Sequence, residues 1–155
     1  MSGILKSGRV KSSAKLSNKR VAVVVASWNE EITEALYEGA VQSLLTSGIR
    51  KDNVIRKNVP GSFELTLGAL WMAERKDVHA VICLGCVIQG DTPHFDYICR
   101  AVSYGITEVG LKTRKPVIFG VLTTLNKKQA LERAGGKFGN KGEEAAITAL
   151  EMLAF

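Results

Sequence analysis

No apolar run in the sequence is longer than a strand. The longest, within VAVVVA and AVICLGCVI, fall far short of the roughly 20 residues that cross a bilayer, so no membrane contact is expected. Cysteine is scarce: Cys83, Cys86 and Cys99 make an odd set, which supports no disulfide framework and fits a reducing, cytoplasmic setting. Cys83 and Cys86 do form a C-x-x-C, but inside a strand-like run their side chains point to opposite faces, and no second ligand pair follows. The chain also lacks G-x-G-x-x-G behind its first predicted strand, and GGKFGNKG is not followed by the G-K-[ST] of a phosphate loop. Dinucleotide and nucleoside-triphosphate sites are therefore not expected. No internal repeat or low-complexity segment is evident.

Acid is absent from residues 1–20, which hold Lys6, Arg9, Lys11, Lys15, Lys19 and Arg20 together with five serines. The remaining residues, 21–155, carry 15 basic and 15 acidic side chains, so the net charge of +6 lies in this segment alone. A basic pI would otherwise suggest nucleic acid. Located in a tail, it predicts a flexible or partner-docked arm on a neutral body, and no nucleic-acid partner. At 155 residues and 46% hydrophobic content, the body at 21–155 is expected to be one domain.

Strand-like and helical runs alternate along that body. The β-branched run RVAVVVAS, residues 20–27, predicts a strand covered on both faces. Beyond WNEE, where Ser27 or Asn29 is placed to cap, Ile32, Leu36, Ala40, Val41, Leu44 and Leu45 recur at helical spacing up to Gly48. Further strands are expected at 53–59, 80–88 and in KPVIFGVLTT, and further helices at about 63–75 and 93–112 and in GEEAAITALEML. Thr92 is the expected cap of the second of these, and Asn126 with Gln129 resembles a capping box for a short helix ending at Gly135 and Gly136. Four alternations predict an α/β fold, a three-layer α/β/α sandwich with a four-stranded parallel sheet and helices on both faces. Ligands in such sheets bind beyond the carboxyl ends of the strands, which selects SWNE, PGSFE, GCVIQGDTPHF and FGVLTT.

The third of these segments holds one of only two histidines. A helix starting near Pro93 leaves N–H groups at Asp91 and Thr92 that can dock a phosphate, although the segment alone does not distinguish an anion pocket from an ordinary capped helix. His94 in that turn is a candidate proton-transfer group, whereas His79 in KDVHA reads as solvated. Trp28 and Phe119, placed at the ends of the first and fourth predicted strands, could sandwich an aromatic ring. Ser62 to Glu64 could hold a hydroxyl-rich chain. Arg133 suits either a helix end or a phosphate, and Lys141 is a further anion contact.

Taken in order, VASWNE, VPGSFEL, CVIQGDTPHFDYI, PVIFGVLTT and ERAGGKFGNKGEEAAITALEM closely resemble the lumazine synthase family, from Val21 to the C-terminus. The resemblance implies a flavodoxin-like fold, homopentamers with sites shared between neighbouring subunits, and no metal or organic cofactor. It also implies condensation of 5-amino-6-(D-ribitylamino)uracil with 3,4-dihydroxy-2-butanone 4-phosphate, the penultimate step of riboflavin biosynthesis. By motif position, Trp28 would stack on the pyrimidine, where the family often has phenylalanine, and Phe119 would come from a neighbouring subunit. Ser62, Phe63 and Glu64 would hold the ribityl and uracil groups, with backbone contacts from Cys86, Val87 and Ile88. Asp91, Thr92 and Arg133 would bind phosphate, His94 would transfer protons, and Lys141 and Glu144 would support His94. The compact GGKFGNKG link permits a sixty-subunit shell, with riboflavin synthase as a candidate partner. A catalytically lapsed flavin-binding or storage homologue is the competing reading, against which the retained His94, Arg133 and Glu64 speak.

Overall fold

The computed structural model describes residues 14–155. Its centre is a parallel sheet in the order β2-β1-β3-β4, formed by β1 (Val21–Ala26), β2 (Val54–Val59), β3 (Ala80–Ile88) and β4 (Val117–Thr124). Every residue of β1 is fully buried, as a strand with neighbours on both edges and helices on both faces must be. Alternation along the strands divides the core into two. Val21, Val23, Val25, Ile82, Leu84 and Cys86 face α2 (Glu30–Thr46) and α6 (Lys141–Ala154), whereas Ala22, Val24, Ala26, Val81 and Cys83 face α3 (Leu65–Ala73) and α4 (His94–Thr113). The expected α/β/α sandwich is thus present. Cys83 and Cys86 do lie on opposite faces, and burial pushes their thiols up to about 12 and about 11, leaving them packing groups. Among the described residues no helix is long and apolar enough to cross a membrane.

The chain goes from β1 outward to β2 and then returns past β1 to β3, so the crossover direction reverses between β1 and β3. In open α/β sheets this is where a crevice opens at the carboxyl edge. Here β1 pairs with β3 only as far as Val25 opposite Leu84, while β3 runs on to Ile88. Cys86, Val87 and Ile88 therefore extend past the end of β1 with that strand edge open.

Several local expectations change. Asn29 is the N-cap residue of α2, but its left-handed backbone (φ 59°, ψ 46°) turns its amide away from the helix and no side-chain cap forms. Pro93, not Thr92, is the N-cap of α4, again with no side-chain cap. The second expected helix starts with a 3-10 turn, Ser62–Glu64, before α3. Asn126 does cap α5 (Lys127–Glu132) at the Gln129 N–H, but the Gln129 side chain reaches back to the Leu125 N–H. GGKFGNKG, read from sequence only as a link, folds into a small antiparallel pair, β5 (Ala134–Gly136) and β6 (Gly139–Asn140), with positive φ at Gly135 and Gly139.

Before β1, Ala14–Ser17 makes one helical turn, α1. Leu16 is buried in the core on the α2 face, and Asn53 Nδ2 donates to the Ser17 carbonyl. The rest of the basic segment, residues 1–13, lies outside the described residues. His79, expected to be solvated, is half-buried instead: its N–H donates to the Arg20 carbonyl, and its Nδ1 accepts from the Arg20 N–H at 3.0 Å. Burial, with Lys19 and Lys115 nearby, outweighs the Arg20 backbone hydrogen bond and Asp77 and lowers its pKa below the ordinary value of 6.5. Folding therefore favours neutral His79. Its contribution is present in full above the unfolded value and is lost as pH falls below it toward the depressed folded value. The melting temperature should drop between pH 7.5 and 5.5, and calorimetry on His79→Gln should show a smaller drop.

Packing of α6 on α2 is close enough to need glycine. A Cβ at Gly142 would stand 1.8 Å from the Leu36 carbonyl oxygen, which is backbone and cannot yield. Gly142→Ala should therefore destabilise the protein by about 3 kcal/mol, at the upper end for overpacking, read as a melting temperature lower by several degrees. An unchanged melting temperature would contradict this contact.

Candidate active site

The carboxyl edge is assembled by short-range geometry around the crevice. After β1, the Ser27 N–H donates to Val59 O and Pro60 O and the Trp28 N–H to Pro60 O, tying the ends of β1 and β2 together. The Trp28 ring then lies on Gly61, where a Cβ would meet Cε3 at 2.8 Å, yet 68% of the residue remains exposed. Glycine at 61 makes this contact possible. Glu64 folds back so that Oε2 accepts the Gly61 N–H at 3.0 Å. Asn29, freed from capping by its left-handed backbone, donates Nδ2 to the Cys86 carbonyl at 3.0 Å and bridges β1 to β3 across the crevice. The Cys86 carbonyl is thereby engaged within the chain. Ser62 is 6% exposed, and its Oγ has no partner among the described residues. It fits against Gly85, where a Cβ would come within 2.6 Å of Oγ. A buried hydroxyl without a partner costs about 1–3 kcal/mol unless water or a ligand supplies one.

Beyond β3, residues 89–93 lead into α4. Gly90 faces open space. The Pro93 carbonyl accepts from the Asp96 and Tyr97 N–H groups, while those of Asp91, Thr92, His94 and Phe95 have no backbone partner among the described residues. His94 opens the helix and is exposed, as are Asp91 and Thr92. Unpaired amides at the positive end of a 20-residue helix suit an anion.

A second group stands apart from this edge. Arg133, at the C-cap of α5, grips Glu144 of α6 with two bonds of 2.9 Å, Nη1 to Oε1 and Nη2 to Oε2, and Nη1 also donates to the Phe138 carbonyl. Lys141 Nζ reaches Glu144 Oε2 at 3.4 Å. Burial alone would raise the Glu144 pKa, but the Arg133 bonds and the two cations outweigh it and hold the carboxyl below its ordinary value. Both Nη1 hydrogens and one Nη2 hydrogen of Arg133 are thus committed. The remaining side of the guanidinium, Nε–H with the second Nη2–H, has no partner among the described residues. That pair of parallel donors matches two oxygens of a phosphate.

Phe119 lies with this second group and not at a strand end beside Trp28, where strand position put it; the motif resemblance instead had it come from a neighbouring subunit. It is the third of eight residues in β4 and pairs with Cys83, so it sits about 10 Å below the level of Cys86 at ~3.3 Å per residue. The strand runs on for five residues beyond Phe119 and ends at Thr124 opposite Ile88, level with β3, so Phe119 lies well below the carboxyl edge. Phe119, Lys141 and Glu144 line one groove of about 800 Å³ between α4, the open edge of β4 and α6. The residues expected in the site thus form two sets on one chain. Trp28, Ser62, Phe63, Glu64, Cys86, Val87, Ile88, Asp91, Thr92 and His94 follow the ends of β1, β2 and β3, whereas Phe119, Arg133, Lys141 and Glu144 gather around β4, the hairpin and α6.

Sequence reasoning passed over Asn29 and Asn140 as site-building residues, and Gly61 and Gly85 as the spacers for Trp28 and Ser62. Asn29 carried a signal, since asparagine tolerates the left-handed backbone better than other side chains. Nothing local marked its bond to Cys86, 57 residues away.

The family model for 6,7-dimethyl-8-ribityllumazine synthase matches residues 18–155. The chain belongs to that family. The 6,7-dimethyl-8-ribityllumazine synthase of Cytophaga hutchinsonii is 72% identical over 139 residues, covering 90% of this chain and 87% of the relative. Those of Parabacteroides distasonis and Porphyromonas gingivalis are 54% and 56% identical, covering 90% and 86% of this chain and 87% and 83% of their own lengths. A lumazine synthase is a transferase of riboflavin biosynthesis, and the α/β fold described above is the one that the motif resemblance implied. The lumazine synthase match spans both residue sets, the strand-end crevice and the Arg133–Glu144 pair alike.

Proposed function

We propose that this lumazine synthase condenses 5-amino-6-(D-ribitylamino)uracil with 3,4-dihydroxy-2-butanone 4-phosphate to give 6,7-dimethyl-8-ribityllumazine, at a site completed by a second copy of the chain. The observation that carries this reading is the unpartnered donor pair of Arg133, a phosphate-shaped cation held rigid by Glu144 in a chain of this family. The amine attacks the ketone and water leaves to form an imine, phosphate is eliminated, and the ring closes with loss of a second water. His94 moves protons in these steps, since histidine both accepts and donates them near neutrality. Asp91 and Thr92 hold the phosphate through main-chain N–H groups, with Arg133 opposite. Trp28 and Phe119 flank the pyrimidine. Ser62, Phe63 and Glu64 bind its ribityl and uracil groups, Cys86, Val87 and Ile88 supply the strand edge, and Lys141 and Glu144 support Arg133. The chemistry calls for no metal or organic cofactor.

Sharing between copies is supported by the separation of the two residue sets and by the position of Phe119 low on an edge strand. The β4 edge and its apolar groove suit cover by another subunit, and a homopentamer places one set against the other repeatedly. The arm expected at residues 1–20 lies mostly outside the described residues, and its last part belongs with the domain expected at 21–155, since Leu16 is buried in the core and the Ser17 carbonyl accepts from Asn53. The compact hairpin leaves room for twelve pentamers to close a shell, in the cytoplasm, with riboflavin synthase as the enclosed partner. To test the activity, protein is mixed with both substrates, the spontaneous reaction is subtracted, and the fluorescent product is followed. No rate above background would sink the proposal, and light scattering reads the assembly.

A further inference from the structure

Arg133 and Glu144 do not hold themselves in place. Arg133 ends α5 and Glu144 lies one turn into α6, and between them runs the β5–β6 hairpin. The last residue of that hairpin, Asn140, uses its whole side chain. Oδ1 accepts the Gly142 and Glu143 N–H groups at 2.8 and 3.3 Å, capping α6, and Nδ2 donates to the Ala35 carbonyl of α2 at 2.9 Å. The amide is seated on Gly39, where a Cβ would come within 2.6 Å of its Cγ, Nδ2 and Oδ1. On the backbone, Asn140 pairs with Ala134, and the neighbouring Lys141 N–H donates to Arg133 O at 2.8 Å.

We infer that Asn140 is a positioning residue for phosphate capture: by joining the hairpin and the α6 terminus to α2, it fixes where the Arg133 donor pair points. This rests on the phosphate role given to Arg133 above. An N-cap alone would be served by serine or aspartate, without a bond to a carbonyl 105 residues away. The glycine at 39 costs α2 helical propensity, and among the described residues its Cβ site is filled by this amide. Both features tie α6 to α2 at the one turn that bears Lys141 and Glu144.

Two variants separate anchoring from folding. Asn140→Ser keeps an oxygen to cap α6, adds no charge and cannot reach Ala35. Gly39→Ala removes no polar group, favours the α2 helix and drives the Asn140 amide from its seat. In the assembled full-length protein each should raise the KM for the phosphorylated substrate, and the inhibition constant of inorganic phosphate competing with it, by about tenfold, as expected for one lost hydrogen bond. The KM for the pyrimidine and kcat should stay within about twofold. Arg133→Ala is measured alongside. If it weakens phosphate inhibition while both anchor variants leave it unchanged, or change only kcat or melting temperature, the anchoring role is overturned and the Arg133 reading stands. If Arg133→Ala itself leaves phosphate inhibition unchanged, the Arg133 reading falls and the anchoring role with it.

Discussion

Arg133→Ala should raise the KM for the phosphorylated substrate by about a hundredfold and leave the KM for the pyrimidine nearly unchanged. Charge-assisted bonds to a phosphate contribute about 1.5–3 kcal/mol, and the side-on donor pair offers two of them. The substitution also strips Glu144 of the partner that holds its carboxyl low, while the burial that raises its pKa remains. Glu144 should then titrate at higher pH than in the parent protein. Above that value, an anionic Glu144 opposed only by Lys141 repels phosphate, so the KM defect should deepen as pH rises. Steady-state kinetics from pH 6 to 8 with each substrate varied in turn reads both effects. Equal losses in the two KM values, or a defect independent of pH, would argue that Arg133 merely supports the hairpin.

His94→Ala should lower kcat by about a hundredfold, at the weak end of the range for proton-transfer groups, with both KM values little altered. The reactants condense without an enzyme, so much of the acceleration comes from holding them together in register, which the crevice still does. His94 is exposed at the head of α4 and its side chain has no hydrogen-bond partner among the described residues, so the variant should fold and assemble as its parent does. Complete loss of turnover in a folded variant would assign His94 a larger role than proton relay. Unchanged turnover would move the proton relay elsewhere.

What could be read from the sequence follows from what periodicity reports, namely burial. β3 lies at Ala80–Ile88, where its apolar run put it, and β1 falls within one residue of each expected end because all six of its side chains enter the core. The α2 stripe of Ile32, Leu36, Ala40 and Leu44 is likewise buried as its spacing required. Apolar character does not say where along a strand a residue falls, and so Phe119 was placed too high: β4 runs on five residues past it to Thr124, level with the end of β3 at Ile88. Asn29 and His79 were misread because each is used by a distant backbone group, the Cys86 carbonyl and the Arg20 amide. Phosphate capture had been assigned to Arg133 by motif, but its clamp by Glu144 and the hairpin behind it emerge only in three dimensions.

The wholly interior first strand has a consequence for synthesis. VAVVVA is short, uncharged and β-prone, the kind of segment that stacks with copies of itself when uncovered. It leaves the ribosome more than 50 residues before β3, the neighbour on its other edge, exists to shield it. Lys19 and Arg20 on one flank and Glu30 and Glu31 beyond the other act as gatekeepers during that interval, like charge meeting like charge in any aggregate that aligns the strands in parallel. Neutralising Lys19 and Arg20 would thus be felt first as lost soluble yield.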